Sequence, residues 1–265
     1  MSHQGGWCWL VLVGVLVGGG WWWLVVVEWV LFLFFSNTSF RLHCSQVIEK
    51  FPKNYYAYTN KLHVVRELCA IIDKEYIIEA LDRLIIRLVL KEIDWANGWL
   101  KMNVTDHSAV NFHHQCCTIY YKLRSVNAEE RQKHIGENIK KAKVMSGIYG
   151  SLGMGNDAIY RWRRLCAVSF LQYCEEADDE MKDIFVKMLE DNNERNMSKE
   201  EKRHFFGYIA WVARHAREAK EGFNIGAQRM ETILAGEKVA LANLTSVEVQ
   251  QINHFWDCLK VEKTK

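Results

Sequence analysis

From Asn54 onward, apolar residues return at steps of three and four with polar residues filling the intervals. Tyr55, Tyr58, Leu62, Val65, Cys69 and Ile72 make one such stripe, the spacing of a single face of a 3.6-residue helix. Lys74 to Ile93 repeats the pattern with Ile77, Leu81, Leu84 and Leu88, and two successive stripes of this length predict an antiparallel helical pair. Upstream, SFRLHCSQVIEKF is a shorter amphipathic segment that stops at Pro52, and Met181, Ile184, Phe185, Met188 and Leu189 mark a further helix downstream. Helix starts are signalled by Thr105 with Asp106, by Asn127 with Glu130 and by Asn156 with Asp157, because short polar side chains there accept from backbone N–H groups that have no partner within the helix. Ser198 with Glu201 and Thr245 with Glu248 are stronger signals, since hydroxyl and carboxylate each satisfy one such group.

Pro52 is the only proline, and the stretches after it lack the Gly, Pro and Asn clusters that punctuate a many-stranded sheet. Roughly ten helices with short connections fit between residues 37 and 265. The expected fold is therefore all-α, an α-α superhelix: a solenoid of antiparallel helical hairpins in which each hairpin buries its apolar face on the next.

Residues 1–36 stand apart from this pattern. WCWLVLVGVLVGGGWWWLVVVEWVLFLFF, residues 7–35, has Glu28 as its only charge and is long enough to cross a bilayer. Yet every residue from Gly5 to Phe35 except Glu28 is Gly, Trp, Cys, Leu, Val or Phe, all of which have codons built from G and T alone. That is the composition of a translated low-complexity nucleotide tract, a gene-model artefact, and it disfavours membrane anchorage without removing it. No Lys or Arg precedes the tract, which argues against a signal peptide. Residues 37–265 are taken as one helical-repeat domain with a cytoplasmic location.

A net charge of +2 and the lack of any run of five like charges give no electrostatic footprint for nucleic acid. The eight cysteines include no CxxC pair, and several fall in apolar helical stretches, so they read as reduced core residues. Asn37, Asn103, Asn196 and Asn243 each open an NxS/T sequon, which keeps open a membrane-anchored lumenal protein with disulfides. Three of the sequons fall where helix N-termini are expected, and capping explains them as well.

The helical region repeats itself. NYYAYTNK from Asn54, DHSAVNFH from Asp106 and NDAIYRWRR from Asn156 align, beginning 52 and then 50 residues apart. Each has a polar cap, an aromatic or aliphatic residue four later (Tyr58, Val110, Tyr160) and a basic residue seven later (Lys61, His113, Arg163). The three copies lie near 53–66, 105–118 and 155–168.

This pattern resembles the protein prenyltransferase α-subunit repeat, which typically reads NYxAWxxR, and in the first copy the match extends to Lys53 as KNYYAY. The DHS opening of the second copy, the long spacing and RHFFGYIAW from Arg203 look most like the repeat-containing subfamily of that family. Coverage is about residues 50–215. Tyr58, Val110 and Tyr160 stand in place of the usual Trp, and Lys61 and His113 in place of Arg; Arg163 alone is unchanged.

The resemblance implies a non-catalytic α-type subunit that wraps a separate β-subunit, a Rab-type geranylgeranyltransferase β first among the candidates. The β-subunit holds the catalytic zinc, and this chain holds no cofactor and no metal. The implied reaction joins an isoprenoid to a cysteine at or near the C-terminus of a protein substrate while diphosphate leaves. Family α-subunits offer a Lys and a Tyr from KNY to that diphosphate, and Lys53 and Tyr55 occupy these positions. Read from the residues alone, Lys53 is a solvated residue before a helix, Tyr55 the first layer of its stripe and Asn54 a cap.

His113, His114, Cys116 and Cys117 carry zinc-binding groups, but helical neighbours point about 100° apart and cannot converge as four ligands, so core packing is expected. Arg161, Arg163 and Arg164 read as a solvated face with layer contacts. No nucleophile and base pair, Gly-rich phosphate loop or HExxH pattern is present. A helical-repeat scaffold that binds proteins without any prenyltransferase role is the alternative, and the substituted Trp and Arg positions are its support.

Overall fold

The computed structural model describes residues 39–72, 79–151, 157–174, 177–189, 197–218 and 225–251. Residues 1–36, Ile77, Asn156, the sequons at Asn37 and Asn196, and Cys8 and Cys258 lie outside them. The described chain is helical throughout: α1 (39–50), α2 (Tyr55–Ile72), α3 (Glu79–Met102), α4 (His107–Lys122), α5 (Ala128–Ser151), α6 (Asp157–Tyr173), α7 (Asp179–Lys187), α8 (Lys199–Glu218), α9 (Ala227–Ala242) and α10 (246–251). Among the described residues there is no strand, and no helix is long and apolar enough to cross a membrane.

The caps form where the sequence places them. Asn54 Oδ1 accepts from Ala57 N at 3.2 Å, and Asp106 Oδ1 accepts from Ser108 N and Ala109 N at 3.0 and 3.1 Å. Three reciprocal boxes close α5, α8 and α10, joining Asn127 with Glu130, Ser198 with Glu201 and Thr245 with Glu248. Each such cap contributes about 1 kcal/mol.

The sequons at Asn103 and Asn243 do lead into helix starts, although the two asparagines are not themselves the N-caps. They stand at the C-terminal ends of α3 and α9, where each side-chain amide donates to the carbonyl four residues back, Trp99 O at 3.3 Å and Val239 O at 2.8 Å. The N-cap role passes to Asp106 and Thr245 a few residues later. α3 also runs nine residues beyond Ile93, because Ala96 and Leu100 continue its buried stripe.

Two compact units divide at Leu68, inside α2. In the first, α1 turns Arg41, Cys44 and Ile48 inward, and α2 buries Ala57, Tyr58, Lys61, Val64, Val65 and Leu68. The buried face of α2 is thus rotated from the stripe expected through Tyr55 and Leu62. Tyr55 is 61% exposed and Leu62 half-buried. A pattern that counts only apolar residues misses the inward Lys61.

In the second unit α3 packs on α4, α5 on α6 and α8 on α9; α4 also meets α6, α6 meets α8, α5 meets α7 and α7 meets α9. Packing therefore runs to the chain neighbour and to the next helix but one. Phe170 of α6 stacks on Phe185 of α7 at 4.6 Å, and both rings are fully buried, each contributing roughly 1.5–3 kcal/mol through burial. Gly136 lets α7 approach α5: a Cβ there would lie 2.8 Å from Met181 Sδ.

Candidate functional site

The three repeat copies put their fourth and seventh positions in the same kind of place. Tyr58 and Lys61, Val110 and His113, Tyr160 and Arg163 are all buried to 3% exposure or less. These residues are structural positions of the fold, each pair lying one to two turns beyond its helix start. The openings of the copies differ.

In the first copy, the turn at Pro52 after α1 holds Lys53 at φ 65°, the one non-glycine residue of left-handed backbone among those described. Such a conformation costs an L-residue roughly 1 kcal/mol and is where glycine is expected. Lys53 is exposed. Tyr55 and Tyr56 are 61% and 78% exposed, and their rings meet edge to face at 6.0 Å. Lys53 and Tyr55 are therefore brought to one solvent-facing corner at the start of α2, where free N–H groups of the first helical turn favour an anion. Tyr55 does not form the first layer of a buried stripe. Tyr56 shares this corner and was not singled out by the repeat pattern, in which it is a variable position.

In the second copy Asp106 also accepts from Trp99 Nε1 at 3.1 Å, which ties the start of α4 to the end of α3. In the third copy Asn156 lies outside the described residues, and Asp157 is held by Arg164 Nη2 at 2.8 Å, His204 Nδ1 at 3.5 Å and His107 Nδ1 at 3.9 Å. Burial pushes the Asp157 carboxyl up, but Arg164, with His204 and His107 behind it, outweighs that and holds it below the usual carboxylate range.

Arg163 and Arg164 are buried to 1% and 7% exposure, so the solvated face expected for them is corrected. Arg163 donates to Ser146 Oγ at 3.0 Å and to Met188 O, and its guanidinium lies 4.7 Å from the Tyr208 ring centroid and 5.7 Å from that of Tyr160. Tyr208 Oη donates to the same Met188 carbonyl at 3.2 Å. One side chain thereby joins α5, α6, α8 and the turn after α7.

A second polar group lies between α4, α5 and α6. Asn138 Nδ2 lies 3.5 Å from Cys117 Sγ, 3.3 Å from Tyr121 Oη and 3.2 Å from His134 Nδ1, and Tyr121 Oη is 3.0 Å from His134 Nδ1. His113 stands edge-on to Trp162 at 5.5 Å, with Cys117 Sγ 3.8 and 3.9 Å from its ring nitrogens. Burial lowers His113 to about 3 and His134 to about 4 and pushes the Cys117 thiol up to about 12. The group is neutral at pH 7, with no activated nucleophile. His113, Cys116 and Cys117 are core residues and His114 is half-buried. Among the described residues no group of three His, Cys, Asp or Glu is arranged to hold a metal. Asn138 could have been noticed in the sequence as a polar residue within the inward series Ile135, Ile139 and Ala142, all 1% exposed.

No family model, curated protein or solved structure gives a match to this chain.

Proposed function

We propose that the chain is an α-type, non-catalytic subunit of a protein prenyltransferase, acting in the cytoplasm with a zinc-bearing β-subunit to transfer geranylgeranyl to protein cysteines. The observation that carries this reading is Lys53. It keeps a long cationic side chain at a backbone position suited to glycine, beside the exposed Tyr55, in the KNY sequence. Retained strain at such a position is expected where the side chain does work. In the proposed complex the Lys53 ammonium and the Tyr55 hydroxyl face the diphosphate as it leaves. Positive charge there stabilises the developing negative charge, most of all once the partner closes the corner from water. The metal and the thiolate chemistry belong to the partner in this reading.

The neighbour and next-but-one packing of α3 to α9 supports the superhelical solenoid that such a subunit uses to embrace its partner. The alternative, a protein-binding scaffold without prenyltransferase role, is supported by the Tyr58, Val110, Tyr160, Lys61 and His113 substitutions. Co-expression of the full chain with a Rab-type geranylgeranyltransferase β-subunit, followed by size-exclusion, separates the two. A stable heterodimer is expected; a chain that elutes alone with every prenyltransferase β-subunit tried leaves the scaffold reading.

A further inference from the structure

We infer that the interior of the second repeat is built to hold one water molecule, which joins α4, α5 and α6 through Asn138 and Trp162. A half-open pocket of about 10 Å³ lies there, just the volume that one water needs. His113 and Cys117 of α4, Asn138 of α5, and Trp162, Cys166 and Ser169 of α6 are among its walls. Two of these residues carry buried polar atoms with no hydrogen-bond partner among the described residues: Asn138 Oδ1, an acceptor, and Trp162 Nε1, a donor. Both side chains are 3% exposed. Turning the Asn138 amide over only exchanges which end is left, since one end is already taken up by Cys117, Tyr121 and His134.

The ligand must therefore be small, neutral and able to donate and accept at once. Ser169 Oγ donates to Leu165 O at 3.1 Å and so keeps a lone pair for a third hydrogen bond. No Lys, Arg, Asp or Glu is among the walls, and burial keeps the lining imidazoles of His113 and His114 neutral, which disfavours an ion. Water, with two donors and two acceptors, fits.

The repeat register explains why the space exists. In the third copy the seventh position is Arg163, whose guanidinium spans the gap to Met188 O beyond α7. In the second copy the shorter His113 stops beside Cys117 and Trp162, and Asn138 on the following helix is left with a group to satisfy. The water takes the place of the missing guanidinium reach. This inference rests on the pocket and its buried polar atoms and stands or falls apart from the prenyltransferase reading.

The test is water-detected NMR on the ¹⁵N-labelled full chain, with the Trp162 indole assigned by its loss in Trp162→Phe. The expected result is a cross-peak between water and Trp162 Hε1 with the sign of a dipolar interaction with bound water rather than of proton exchange, and its loss in Asn138→Leu. Absence of the cross-peak in the wild-type chain, or its survival in Asn138→Leu, overturns the inference; survival would mean that exchange through a neighbouring hydroxyl or thiol feeds it. Urea unfolding gives a second readout: Asn138→Leu and Trp162→Phe each lower the folding constant about tenfold, and the double variant falls well short of their product because the partner is shared. Fully independent losses would contradict a shared water.

Discussion

The first and third copies of the repeat share their buried inner positions but open in opposite situations. At the start of α6, Asp157 is engaged by Arg164, His204 and His107, and Arg163 seven residues into the copy is fully buried. At the start of α2, the equivalent Tyr55 stands in solvent with Tyr56, next to a lysine of left-handed backbone. The inner positions of the two copies are both buried. What a copy buries at its fourth and seventh positions therefore belongs to the scaffold, and a copy is free for recognition where its opening residues are not spent on neighbouring helices.

Four changes sharpen or break that contrast. Arg163→Met should cost the most, about 3 kcal/mol or more, because the Met188 carbonyl and Ser146 lose a charged donor in a dry place; the urea midpoint should fall with an unchanged slope. Acid comes next. His113 and His134 titrate near 3 and 4 when folded against an ordinary 6.5, so the unfolded chain takes up protons first as pH falls. The stability is complete above pH 6.5 and is lost as pH falls toward 4 for His134 and toward 3 for His113, by about 1–2 kcal/mol per imidazole between pH 7 and 5. His113→Gln should flatten that dependence, and a pH-independent midpoint would show that the α4 to α6 interior is open to water. Asp106→Ala should cost about 1–2 kcal/mol, because one carboxylate both caps α4 and accepts from the Trp99 indole. Smallest is Lys53→Gly, which should stabilise by up to about 1 kcal/mol through relief of the left-handed backbone. A loss of stability instead would mean that the Lys53 side chain is part of the scaffold, and the contrast between the copies would fail.

The helices were legible because their caps are local. Asn54, Asp106, Ser198 and Thr245 bond to amides two or three residues away, and nothing distant decides this. Periodicity misled where inward positions are polar. Arg163 and Arg164 turn into the fold although they read as a solvated face, and Lys61 is buried outside the apolar stripe, since counting apolar residues cannot register a buried cation. Asn138 and Trp162 were invisible as a pair, because only packing across helices brings them to one cavity. The exposure of Lys53 was read correctly, while that of Tyr55 was hidden, since it depends on which face α2 buries.

The most direct measurement of the central claim is transfer of labelled geranylgeranyl to a cell-derived protein pool by the full chain co-purified with a Rab-type β-subunit, comparing wild type with Lys53→Ala. The account predicts labelled acceptors with the wild-type pair, and loss of labelling in Lys53→Ala while the heterodimer persists on size-exclusion. Labelling that is unchanged by Lys53→Ala, or no heterodimer and no labelling with any prenyltransferase β-subunit, would contradict it.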